Sequence, residues 1–144
     1  QALEVRPDEL FLTCGAAPAL ISVIKALVVD HSAEIMVVAP FFPEYRPFVC
    51  GNGGKLVVVP ADTAAFQIRL EEVEKHITPR TQAIIINSPN NPSGVVYTRE
   101  TLQGLAALLE RKSAEYGHPI YIIADEPYRE LVYGGVKVPF IPGI

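Results

Sequence analysis

Charge is scarce in this chain. Only 19 % of its 144 residues are Asp, Glu, Lys or Arg, against 49 % hydrophobic ones. That balance excludes a disordered polyelectrolyte and supplies one domain with a sizeable core. The net charge is −4 and there is no dense basic run, which argues against nucleic acid as a main partner. The longest apolar runs fall well short of a membrane span. Residues 1–15 lack the charged start, apolar stretch and cleavage pattern of a secretory leader. Cysteine is nearly absent: Cys14 and Cys50 form neither a CxxC pair nor a secreted framework, so both read as core-filling thiols of a cytoplasmic protein. The three histidines, His31, His76 and His118, share no metal-ligand spacing and read as solvated, so no metal site is expected. A dinucleotide loop is disfavoured as well, because Gly51-Asn52-Gly53-Gly54 precedes a strand rather than a helix.

What the chain does contain is strand and helix in alternation. Short apolar, β-branched runs predict strands at 9–13, 34–39, 55–59, 82–87 and 120–124. Leu20, Ile21, Ile24, Leu27 and Val28 give residues 17–29 a helical spacing, with Pro18 in the first turn, where its missing N–H is no loss. Residues 43–50 read as a short helix, and Leu70, Val73 and Ile77 mark another, stopped by Pro79. Thr98 suits the N-cap of a longer helix striped by Leu102, Leu105, Leu108 and Leu109, and Gly117 suits its C-terminal cap. Strands that are apolar throughout, rather than alternating, imply burial on both faces. With helices between them the expected fold class is α/β: a three-layer α/β/α arrangement around a mostly parallel sheet. Nothing marks an internal boundary or repeat, so residues 1–144 read as a single domain. The glycine-rich stretch 134–144 ends as if before a further strand, so that domain is expected to be partial.

Four segments can carry chemistry. In Thr13-Cys14-Gly15-Ala16-Ala17-Pro18 a strand runs through small residues straight into a helix. Small side chains let an anion reach the backbone, and the unpaired N–H groups of a helix start favour it by about 0.3–1 kcal/mol. The plain alternative is a tight turn that binds nothing. Pro40-Phe41-Phe42-Pro43-Glu44-Tyr45 follows a strand end, and an aromatic there can stack on a planar ring or simply pack in the core. In Asn87-Ser88-Pro89-Asn90-Asn91-Pro92-Ser93-Gly94 two prolines flank an Asn pair whose amides can donate to a phenolate or carboxylate, or can merely form a turn. Asp125 ends the run Ile122-Ile123-Ala124, where a buried carboxylate needs a partner. A protonated heterocyclic nitrogen would serve, through a bond contributing on the order of 1.5–3 kcal/mol, with Tyr128 adding a hydroxyl three residues on. The alternative is Asp125 as a helix cap and Tyr128 as packing.

The order of these segments, above all Asn91-Pro92-Ser93-Gly94 and Ala124-Asp125-Glu126-Pro127-Tyr128, resembles the large domain of the fold-type I, pyridoxal-phosphate-dependent aminotransferases of class I/II. The resemblance spans nearly the whole chain. It implies pyridoxal 5′-phosphate as cofactor, with the backbone of Gly15, Ala16 and Ala17 cradling its phosphate and Phe42 stacked on its ring. It further implies that Asn91 and Tyr128 bind the ring 3-oxygen, that Asn91 also lies near the substrate carboxylate, and that Asp125 pairs with the ring nitrogen. Two departures stand out. Ala16 and Ala17 replace the polar residue many members carry, and Ser93 replaces the commoner Thr. The family's Ser-x-Ser-Lys segment and its two anion-binding arginines find no counterpart: Lys25, Lys55, Lys75, Lys112 and Lys137 all lack that context. No catalytic residue is therefore assigned, and the chain by itself is expected to be inactive, with the small domain and the Schiff-base lysine segment lying outside it.

The implied activity is transfer of an amino group between an amino acid and a 2-oxo acid by a parent protein that the resemblance makes a homodimer. Two alternatives stand beside it. One is another enzyme of the same fold type, such as a C–S lyase, a decarboxylase or a cyclopropane-carboxylate synthase. The other is a non-enzymatic α/β module for a phosphorylated ligand or partner.

Overall fold

Four parallel strands set the frame: β1 (Glu34–Val38), β2 (Lys55–Val59), β3 (Thr81–Asn87) and β4 (Tyr121–Asp125), in the order β2-β1-β3-β4. The structure is a computed structural model, and it describes residues 4–60 and 62–144. Each strand is joined to the next through a helix: α2 (Tyr45–Gly51), α3 (Leu70–His76) and α4 (Arg99–Tyr116), with α1 (Ala16–Leu27) preceding β1. The central strands β1 and β3 are buried almost throughout, which is why their sequences are continuously apolar.

Two cores result, one on each face of the sheet. Ile35 and Val37 of β1 and Ala83 and Ile85 of β3 pack with Leu20 and Ile24 of α1 and Val49 of α2. Their neighbours Met36, Val38, Ile84 and Ile86 pack on the opposite side with Val73 of α3 and Leu102, Leu105 and Leu109 of α4. The period of two along a strand divides the residues between the layers. The expected three-layer α/β/α arrangement is thus present.

Connectivity explains where a site can form. From β1 the chain moves through α2 to β2 on one side. From β3 it moves through α4 to β4 on the other, and α2 and α4 lie on opposite faces. Opposite moves over opposite faces give crossovers of one hand, as parallel sheets require. The chain therefore leaves the carboxyl ends of the adjacent strands β1 and β3 towards opposite faces. Such a switch point opens a crevice at those ends.

The ends of α4 follow their sequence signals. Thr98 Oγ1 accepts the backbone N–H of Thr101 at 3.1 Å, and Gly117 takes the left-handed conformation at φ 75°. Three expectations are corrected. Residues 9–13 form no strand: a 3₁₀ turn covers Pro7–Glu9, and Leu10, Phe11 and Leu12 follow with 61 %, 77 % and 92 % of their surface exposed. A strand needs a neighbouring ladder, and neither edge of the sheet, β2 or β4, pairs with this segment. Cys14 and Cys50 are exposed rather than core-filling. Cys14 stands before an open turn, and Cys50 follows the buried Val49 onto the outer side of α2. Finally, of the three histidines only His31 is exposed; His76 and His118 are half-buried at element ends against main-chain carbonyls.

Replacing Thr98 by Ala removes the α4 cap and is expected to cost about 1 kcal/mol in urea unfolding. The outer edge of β4 and the bare Leu10-Phe11-Leu12 stretch leave an open ladder and an apolar patch. The 144-residue chain is accordingly expected to self-associate, visible as a concentration-dependent mass in sedimentation.

Candidate active site at the strand ends

The crevice at the β1/β3 switch point is a cavity of ≈ 230 Å³ with mostly apolar walls. Each wall comes from a different segment. The start of α1 supplies Ala16, Ala17 and Leu20; the segment after β1 supplies Phe42, Tyr45 and Phe48; the ends of β3 and β4 supply Asn87, Asn91, Asp125, Pro127 and Tyr128. Six of the seven residues singled out from sequence line it: Ala16, Ala17, Phe42, Asn91, Asp125 and Tyr128. Gly15, the seventh, stands just outside as the residue before α1.

The α1 start is shaped by Gly15. Its φ of 100° suits glycine, and a Cβ there would meet no atom within 4 Å, so conformation rather than space selects it. Thr13 Oγ1 donates to Gly15 O at 2.7 Å and holds the turn. No side chain caps α1 and no acidic residue stands in its first turn. The N–H groups of that turn and the positive end of the helix dipole thus remain available to an anion. α1 buries Leu20 and Ile24 against the sheet, which fixes the direction of this end.

Asp125 is buried at the end of β4, and Tyr45 Oη donates to its Oδ2 at 2.5 Å. Tyr45 is itself 1 % exposed and forms a T-shaped pair with Phe42, with ring centroids 5.6 Å apart and planes at 79°. Burial first, and then the bond to Asp125, push the Tyr45 hydroxyl far above the usual tyrosine range, so it stays a donor at every physiological pH. One carboxylate oxygen is thereby held, and the other is left for a cationic partner in the cavity.

The two strand-end segments are tied together. Asn87 Oδ1 accepts the backbone N–H of Asn91 at 2.7 Å, and its Nδ2 donates to the Asp125 carbonyl at 2.9 Å. Nearer the cavity, Asn91 Nδ2 donates to Tyr128 Oη at 3.2 Å. The Tyr128 hydrogen stays free to turn inward, so this pair can present two donors to one oxygen. Asn90 serves its own loop instead, accepting from Ser93 N and Oγ. Tyr45 and Asn87 were not singled out from sequence, although both lie in the segments quoted for it. Their signal is positional: Asn87 is the last residue of β3, and Tyr45 opens α2 three residues after Phe42. No lysine lines the cavity among the described residues.

An open parallel sheet with a bare helix start, an aromatic wall and a carboxylate at its switch point has the layout at which α/β domains take up ligands. Known proteins place it more narrowly. The family model for aminotransferase class I and II matches residues 1–142. A probable aspartate/prephenate aminotransferase of Thermus aquaticus is 39 % identical over 142 residues, covering 98 % of this chain and 35 % of its own length. The aspartate aminotransferase of Thermotoga maritima is 41 % identical over 131 residues, covering 90 % of this chain and 33 % of its own. The crystal structure of an amino transferase from Eubacterium rectale superposes with a TM-score of 0.88 at 54 % identity, covering 90 % of this chain and 32 % of that one. The chain belongs to the class I and II aminotransferase family, whose members generally depend on pyridoxal 5′-phosphate. It spans about a third of the length of the curated relatives it matches.

Tyr45→Phe keeps the ring and removes the donor to a buried carboxylate, at an expected cost of about 1–3 kcal/mol at neutral pH. A hydroxyl whose pKa is raised in the fold contributes stability below its unfolded value, about 10, and loses it as pH climbs further. Tyr97, pushed up to about 12 by burial, adds the same sign. Unfolding free energy should therefore fall above about pH 10, more steeply in the parent chain than in Tyr45→Phe. Denaturation curves on both sides of that pH read the two slopes.

Proposed function

We propose that this chain is the cofactor-binding part of a pyridoxal 5′-phosphate-dependent aminotransferase that moves an amino group between an amino acid and a 2-oxo acid. The observation that carries the reading is the meeting of an anion-ready helix start, a carboxylate and an amide–phenol pair around one apolar cavity. Family membership supports the aminotransferase reading, and the setting proposed with it is a homodimeric, cytoplasmic enzyme.

The donor set fits a flat, phosphorylated, zwitterionic ring. Main-chain N–H groups at Ala16 and Ala17 suit a phosphate, with no side-chain oxygen to help. Phe42 offers a flat face to a ring. Asn91 and Tyr128 suit an oxyanion beside that ring. Asp125 suits a protonated ring nitrogen and keeps the proton there, because Tyr45 occupies its other oxygen. Leu20, Phe48 and Pro127 exclude water and strengthen these contacts. When bound, the cofactor supplies the group that exchanges with the amino acid and a cationic ring that draws off electron density. Asn91 is the residue to which the family resemblance also gives the substrate carboxylate.

The test uses pyridoxamine 5′-phosphate, which needs no covalent anchor. The 144-residue chain should bind it, and Asp125→Asn should weaken binding at least about tenfold, the loss of one charge-assisted bond. Because no described lysine faces the cavity, the same chain should show no amino transfer. Absence of binding, or equal binding by Asp125→Asn, would sink the reading.

A further inference from the structure

We propose that Asn87 is a positioning residue that sets the separation between the two ring-binding segments, so that Asn91 and Asp125 meet one ligand together. This rests on the cofactor reading above. Asn87 is 4 % exposed and does little that a core residue would do. It ends β3 in register with Asp125 of β4, so its side chain lies beside the very residue that carries the carboxylate. Both halves of its amide are used. Oδ1 holds the backbone N–H of Asn91 at 2.7 Å, and Nδ2 holds the carbonyl of Asp125 at 2.9 Å.

That orientation is the only one that works, because a flipped amide would set N–H against N–H and carbonyl against carbonyl. The side chains that could replace it fail in separate ways. Asp keeps the acceptor but has no donor for the Asp125 carbonyl, which it would repel. Ala leaves a buried N–H and a buried carbonyl without partners. Ser is too short to span both. The second link between the segments, Asn91 Nδ2 to Tyr128 Oη, lies in the cavity wall and uses the same groups that a ring oxygen would claim. When a ligand takes those groups, Asn87 is the side-chain tie that remains beyond the end of the β3–β4 ladder. Its Oδ1 fixes the main chain from which the Asn91 amide projects, and its Nδ2 fixes the main chain from which the Asp125 carboxylate projects. Ligand contacts at the ring oxygen and the ring nitrogen are therefore coupled through it.

The consequence is a change in selectivity rather than a uniform loss. The protein from its complete reading frame, stripped of cofactor, is titrated with pyridoxamine 5′-phosphate, with its 3-deoxy analogue and with inorganic phosphate. The parent should prefer pyridoxamine 5′-phosphate to the 3-deoxy analogue. In Asn87→Asp that preference should fall by about tenfold, while affinity for inorganic phosphate, which does not draw on the two segments that Asn87 ties, stays unchanged. Asn87→Ser, uncharged and short, should do the same and serves if Asn87→Asp does not fold. Ser88→Ala, which removes the neighbouring loop contact to Tyr97 N, should leave the preference intact. If the variants lose affinity for both ring ligands in equal proportion, Asn87 is merely structural and the inference is overturned. If the parent binds neither ring ligand, the cofactor reading itself fails, and the role of Asn87 with it.

Discussion

Two neighbouring parallel strands that send their chains to opposite faces cannot both close the space above their ends, and everything at this site depends on that constraint. β1 turns towards α2 and β3 towards α4. The gap is then lined by whatever each segment carries in its first few residues: Phe42 and Tyr45 after β1, Asn87 and Asn91 at the end of β3. Placing α1 over the same face brings a helix start with no side-chain cap and no acidic first turn to the rim. Topology supplies the hollow, and a few strand-end residues give it chemistry.

Within the hollow, each buried polar side chain is anchored by a protein partner while keeping part of its bonding capacity open to the cavity. Among the described residues no buried side-chain N or O atom lacks a partner. Tyr45 serves Asp125, and Asn87 serves both segments. Such satisfaction lets a carboxylate sit at a strand end among apolar walls, since an unpartnered one would be costly. It also pre-orients that carboxylate, so an incoming cation finds the acceptor in place instead of reorganising it.

Most of the frame was legible because burial on both faces leaves a plain mark in central strands such as Ala83-Ile84-Ile85-Ile86, and the caps at Thr98 and Gly117 are local chemistry. The runs of β2 and β4 are as apolar, but these are edge strands and only partly buried. Residues 9–13 misled because their β-propensity is real but pairing is not a local property. Cys14 and Cys50 misled because composition says how often a thiol is buried and nothing about which side of α2 it occupies. At the site, Asp125 was visible as a carboxylate just past an apolar run, and Asn91 and Tyr128 through the family resemblance of their segments. Tyr45 and Asn87 were hidden because their value lies in partners far along the chain, 80 and 38 residues away. The bond that makes each of them matter exists only once β1, β3 and β4 stand side by side.

The register of β3 on β4 has a genetic consequence. Asn87 and Asp125 face the α1–α2 side because they lie an even number of residues from Ile85 and Ile123, which pack there. Core and site thus share one parity. A single-residue insertion or deletion inside either strand would turn that strand's polar residue away from the crevice and send its core side chains to the opposite layer in the same stroke. The crossover through α4 carries no such parity. Length variation in descendants of this gene should therefore collect between the strands, leaving the count of residues within them untouched.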